Sequence, residues 1–176
     1  MAINATPGMF DQPLPPPYRV FISHSAADRL AVDQIASSCR GVGVEPYIYE
    51  HDQRPGQSVA EKVKSQIAAS DAVIVLLTTK GADSSYVQQE IGVAVAHNKP
   101  VLPLVEEGVE EAKLAMLKGL EYVRFDGAKP DDALGAMAGE IQRLHGKKQS
   151  RQQLYFAIGL VALLIIGGYL LTRTSV

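Results

Sequence analysis

Glu90 and Tyr86 are the residue pair in this chain best placed for chemistry. They stand four residues apart in SSYVQQEI, so on a helix Glu90 follows Tyr86 by one turn on a shared stripe with Val93 and His97. The neighbouring stripe, Val87, Ile91, Ala94 and Val95, reads as the core face. A carboxylate is thus expected beside an aromatic ring at the edge of the buried face. There it can bond the hydroxyls of a ligand and stabilise positive charge developing on it. The ring can stack on an aromatic ligand. Ser23 and Ser25, at the exit of the first apolar run, offer hydroxyls and helix N-terminal amides to a phosphate. Arg54, in the loop EHDQRPGQ, can pair with phosphate or gate a crevice. Each has a plainer reading: a solvated glutamate, a packing tyrosine, an N-cap and a loop arginine.

The elements that must hold these residues are readable from patterning. YRVFIS (18–23), VEPYIY (44–49), DAVIVLLT (71–78), PVLPLV (100–105) and EYVRF (121–125) read as strands. The third and fourth are apolar without alternation, as strands covered on both faces are. Pro46 suits an edge strand, because proline cannot donate to a ladder. Between the strands lie helices with recognisable starts. Ser25 with Asp28 opens one that carries Val32, Ile35 and Cys39 on a face and closes at Gly41. Ser58 with Glu61 opens another, facing inward through Val59, Val63 and Ile67, and Ser85 with Gln88 opens the helix of Glu90. A short helix is expected near 112–117. A last one starts near Pro130-Asp131 and sets Leu134, Met137, Ile141 and Leu144 on one stripe. Five strands alternating with five helices predict an α/β, flavodoxin-like, doubly wound parallel sheet in the order 2-1-3-4-5. Ligand crevices in such sheets lie at the carboxyl ends of the strands.

Beyond His145 the character changes. GKKQSRQQ (146–153) is a polar, basic linker, and Leu154 to Leu171 is 18 residues without a charge. As a helix that stretch would run about 27 Å at ~1.5 Å per residue, close to the ~30 Å hydrocarbon core of a bilayer. A single transmembrane helix is expected, with a short tail at 172–176. Arg143, Lys147, Lys148 and Arg151 before it, against Arg173 alone after it, put the preceding domain on the cytoplasmic side of a tail-anchored membrane protein. Residues 1–17, ending DQPLPPP, are expected to be a disordered, proline-rich lead-in with no secretory signal, leaving 18–145 as the folded domain.

Several functions are disfavoured. A net charge of -2 gives no reason to expect a nucleic-acid partner. The single cysteine, Cys39, excludes an internal disulfide framework and reads as a buried thiol. The first strand exits into Ser23-His24-Ser25, not a glycine-rich dinucleotide fingerprint. The acidic residues of a phosphoacceptor receiver are missing there, and Thr78-Thr79-Lys80 stands where its aspartate would end the third strand. There is no P-loop and no nucleophile elbow. His24, His51 and His97 lack metal-ligand spacing, so no metal is expected.

Taken in order, VFISHS, the loop RPGQS, SDAVIVLLT, SSYVQQEI and NKPVLPLV resemble a Toll/interleukin-1 receptor (TIR) domain of the kind found in bacteria, over about Tyr18 to Leu144. The resemblance implies the TIR fold and assigns RPGQS to the loop after the second strand. NAD-cleaving members of that family carry a glutamate in the helix after the third strand, four residues beyond a tryptophan. Glu90 matches the glutamate, and Tyr86 stands in place of the tryptophan. Many members end the second strand in an aspartate; this one ends Tyr49-Glu50-His51-Asp52.

What the resemblance implies is an NAD+ glycohydrolase or cyclase, with Glu90 catalytic and Ser23, Ser25, Arg54 and Tyr86 binding substrate. NAD+ is then a substrate and no separate cofactor is required. Activation by self-association through TIR domains and a part in bacterial antiviral defence or toxicity are implied with it. The alternative is a non-catalytic TIR interaction module, acting as a signalling adaptor or against a host's TIR signalling. A nucleoside deoxyribosyltransferase-like enzyme, which shares the fold and a helix glutamate, is a more distant possibility.

Overall fold

The computed structural model describes residues 16–49, 56, 58–127 and 132–151. The expected N-terminal lead-in up to residue 15, Arg54 with most of its loop, and the apolar stretch 154–171 lie outside the described residues. Among the described residues no helix is long and apolar enough to cross a membrane.

Five strands form one parallel sheet in the order β2-β1-β3-β4-β5: β1 Tyr18–Ser23, β2 Val44–Tyr47, β3 Ala72–Leu77, β4 Val101–Glu106 and β5 Val123–Phe125. The expected order is the one found. β3 lies between β1 and β4, with Ile74 opposite both Ile22 and Leu102. All six of its residues are buried, which is why its sequence shows no alternation. β2 and β5 are the edges, and both are shorter than their apolar runs suggest. Pro46 sits opposite Val20 on the edge strand, where its missing N–H costs least.

Residues alternate between two cores. Val20, Ile22, Ile74, Leu76 and Leu104 pack with Val32, Ile35 and Cys39 of α1 (Arg29–Gly41), and with Met137 and Ile141 of α4, which is helical over 132–151. Phe21, Val73, Val75 and Val105 face the other way, onto α2 (Val59–Ala69) and α3 (Ser85–Ala96). The crossover from β4 to β5 is a 3-10 segment, Glu111–Leu117, in place of the expected short helix. α4 continues through 146–151, the first part of the stretch expected as a linker.

Local starts and stops differ from expectation in small ways. Ser58 caps α2 as predicted, its Oγ accepting from the Glu61 amide at 3.4 Å. α3 is capped by Ser84 and not Ser85, through the Val87 amide. Gly43, at φ +75°, takes the left-handed turn after α1; Gly41 is still helical. Val59 and Val95, placed on core faces from their spacing, are 52% and 55% exposed.

Candidate functional site

The carboxyl ends of β1 and β3 are tied together by a small buried network. Ser25 caps a 3-10 turn, Ala26–Asp28, and Asp28 is carried inward at its end. The Thr78 hydroxyl donates to Asp28 Oδ1 at 2.8 Å and accepts from the Gly81 amide at 2.9 Å. Gly81 is glycine for a steric reason. A Cβ there would lie 2.4 Å from Asp28 Oδ2 and 2.8 Å from Ser25 Cβ, closer than real side chains approach. The Ser84 amide then donates to the Gly81 carbonyl at 3.0 Å, and Ser84 caps α3. The register of α3 is therefore fixed by a chain of contacts running back to the first strand. On the next strand over, Glu106 accepts from both the amide and the hydroxyl of Thr79, at 2.7 and 2.9 Å.

The network holds Glu90 in an unusual place. The buried face of α3 is Val87, Glu90, Ile91 and Ala94, so a carboxylate occupies a core position. Glu90 is 6% exposed. Val87 and Ile91, on either side of it, share one apolar cluster with Phe21, Tyr47 and Tyr49. The Phe21 and Tyr47 rings stack at 5.8 Å between centroids. Burying a carboxyl group is costly for stability unless it is hydrogen-bonded or paired, and a buried carboxylate is a candidate for function as well as for structure.

Of the expected site residues, Glu90, Tyr86, Ser23 and Ser25 lie among the described ones. Glu90 lies deeper than predicted, within the buried face instead of at its edge. Tyr86 lies farther out, 69% exposed, so its ring is open to a partner and packs little against the fold. Ser23 is fully buried at the end of β1, and its hydroxyl has no hydrogen-bond partner. Ser25 does act as a cap, accepting from the Ala27 amide at 3.4 Å. Arg54 lies outside the described residues. The fold brings Ser23 and Ser25 to the strand end that precedes α3, with Ser25 against Gly81. The sequence marks Asp28 only as a capping partner of Ser25 and Thr78 only as the end of a strand, and it singles out neither Gly81 nor the Phe21–Tyr47 pair. Their roles depend on contacts between residues about 50 apart, which no local spacing encodes.

Two features lie apart from this region. Cys39 is 2% exposed, and burial pushes its thiol up to about 11, which suits a packing residue and not a nucleophile. A groove of about 520 Å³ runs between β4, β5 and α4 past Pro103, Tyr122, Met137 and Glu140, and none of the expected site residues lines it. Among the described residues no group of three or more His, Cys, Asp or Glu is placed to hold a metal ion.

Comparison with known proteins agrees with the geometry. The family model described as "TIR domain" matches residues 20–138. A protein of Brachypodium distachyon named probable 2' cyclic ADP-D-ribose synthase BdTIR is 24% identical over 145 residues. That alignment covers 69% of this chain and 63% of the relative, so the chain spans under two thirds of its length. Among solved structures, the TIR domain of the Toll-related receptor TRR-2 from Hydra magnipapillata superposes with a TM-score of 0.57 at 16% identity, covering 70% of this chain and 97% of that one. A metazoan TIR-STING receptor from C. gigas, solved with 2',3'-cGAMP, gives 0.57 at 22% identity over 71% of this chain and 38% of its own. These likenesses bear on the fold.

Proposed function

The chain belongs to the TIR-domain family, and from that premise we propose that it cleaves the nicotinamide–ribose bond of NAD+. The observation that carries this reading is Glu90, a carboxylate 6% exposed on the otherwise apolar face of α3. Among the described residues Asp28 is the other buried acidic side chain. The relative named a cyclic ADP-D-ribose synthase supports the substrate class.

The chemistry needs little machinery. The C1'–N bond breaks with its electron pair going to the ring nitrogen, so a cationic nicotinamide leaves neutral and no general acid is required. Ordinary glycoside hydrolysis, by contrast, calls for two carboxylates. Positive charge grows on the ribose, and Glu90 stabilises it while accepting from the ribose hydroxyls. Water then adds at C1' and loses a proton to give ADP-ribose; if a hydroxyl of the same molecule adds instead, the product is cyclic. Tyr86 stacks on a ligand ring, Ser25 meets phosphate, and Arg54 pairs with it or gates entry. In this reading self-association activates the domain, residues 154–171 anchor it as a single-pass membrane protein with the domain in the cytoplasm, and the biological setting is bacterial antiviral defence or toxicity.

The test is nicotinamide release by the full chain reconstituted in vesicles, with the products separated chromatographically. Nicotinamide and a linear or cyclic ADP-ribose are expected in equal amounts, falling by about 10²–10³-fold in Glu90→Ala. Equal release from both proteins would end the enzymatic reading. A second reading, a non-catalytic module acting through TIR–TIR association, is favoured by one observation. Tyr86 and Val95, both on α3, are 69% and 55% exposed, apolar side chains that a second copy could cover.

A further inference from the structure

The sheet has two ends, and they are built differently. In a parallel sheet every crossover helix returns the chain to the amino end, so α1, α3 and α4 all finish there. Arg40 lies in the last turn of α1 and is exposed. Lys99 follows α3 and donates to the Ser70 carbonyl at 2.6 Å. Lys147 and Arg151 are exposed on the last turns of α4.

α4 is not merely adjacent to this end. Lys148 Nζ lies 2.7 Å from both oxygens of Asp71, at the start of β3. Asp71 is held in turn by β1, accepting from the Arg19 amide at 2.9 Å and donating its own amide to the Arg19 carbonyl at 2.7 Å. The ammonium of Lys148 sits 5.6 Å above the Tyr18 ring, which packs 5.4 Å from His145. The end of α4 is therefore fixed to the two central strands, a few residues before the uncharged stretch 154–171.

We propose that this amino-end rim, locked to α4 by the Asp71–Lys148 pair, is a docking surface for an anionic lipid bilayer, and that it holds the carboxyl end of the sheet away from the membrane. Three of the basic groups are internally engaged, Lys148 with Asp71, Arg19 with Glu45 at 3.7 Å and Lys99 with the Ser70 carbonyl. Arg40, Lys147 and Arg151 remain to face the lipid. An anionic surface attracts such residues over a screening distance of roughly 8 Å. Cations at helix C-termini also suit the helix dipole; the lock on α4 adds a fixed direction for the chain leaving the domain. Tyr86, 69% exposed at the start of α3, then faces the aqueous side, open to a ligand and to a neighbouring copy. The inference rests on residues 154–171 being the anchor, and the experiment separates the two.

The full chain is reconstituted in vesicles of phosphatidylcholine with and without phosphatidylserine. A fluorophore is placed on Gly41→Cys at the amino end, where an added side chain meets open space, or on Glu107→Cys at the carboxyl end; buried Cys39 stays unlabelled in the folded protein. Energy transfer to an acceptor on the lipid surface should be several-fold stronger from position 41 than from position 107. The difference should shrink in Lys148→Ala, checked by its melting curve to be folded, and should widen with phosphatidylserine. Equal transfer from the two positions, in protein that floats with the vesicles, would overturn the docking surface and leave the anchor standing. Protein that does not float would overturn the anchor, and the docking surface with it.

Discussion

A carboxylate in a core position calls for explanation by its surroundings, and α3 offers two contrasting cases. Val95, apolar, is left in solvent, while Glu90 is taken inside with Val87, Ile91 and Ala94. The spacing put Val95 on the core face and Glu90 at its edge; packing against the sheet decided otherwise. Gly81 is the other residue whose identity is dictated by its neighbours. Gly81→Ala would push a methyl group onto Asp28 Oδ2 and Ser25 Cβ. It is expected to cost about 1–3 kcal/mol, read as a lower melting temperature, and to misplace the start of α3. An unchanged melting curve would show that the network has slack. Cys39 should resist alkylation in the native protein at neutral pH and react only on unfolding, since its thiol is buried and its pKa lies near 11.

The elements were legible where periodicity and capping agree, and least so at their ends. β3 and β4 announced themselves by unbroken apolar runs, and α2 by the Ser58 cap followed by Val63 and Ile67. The cap of α3 fell one residue early, at Ser84, because Thr78 and Gly81 fix the loop before it, and those contacts are invisible to local reading. β5 is short because the sheet ends there, a fact of topology and not of propensity. The candidate site was half legible. Glu90 and Tyr86 were picked out by spacing together with the family resemblance, but the depth of the first and the exposure of the second were not legible. Thr78→Val keeps the shape while leaving Asp28 Oδ1 without its donor. A loss of about 1–3 kcal/mol is expected, visible as several degrees in thermal melting. At the other end of β1, burial and then the charge of Asp71 push Tyr18 up to about 12 from 10.0. A raised phenol stabilises the fold below its unfolded pKa, and that contribution is lost as pH climbs from about 10 towards 12. Melting temperature should therefore drop across that alkaline range, and less steeply in Tyr18→Phe.

At the scale of the whole molecule, one doubly wound sheet carries two distinct ends. The carboxyl end joins β1 to the β3–α3 loop and positions the helix of Glu90. The amino end is basic and gripped by α4 through Lys148. If residues 154–171 anchor the chain, full-length protein should stay with membranes after carbonate washing and lose that property when the stretch is deleted. Release of the intact chain by carbonate would contradict the anchor. The division of labour between the ends matters only if the carboxyl end does chemistry. The most direct test is nicotinamide release from NAD+ by the membrane-reconstituted chain, measured beside Glu90→Gln, with the fold of each followed by its melting curve. The account predicts release by the unaltered chain and its loss, by about 10²-fold or more, in a variant that still melts cooperatively. Undiminished release from that folded variant would contradict it.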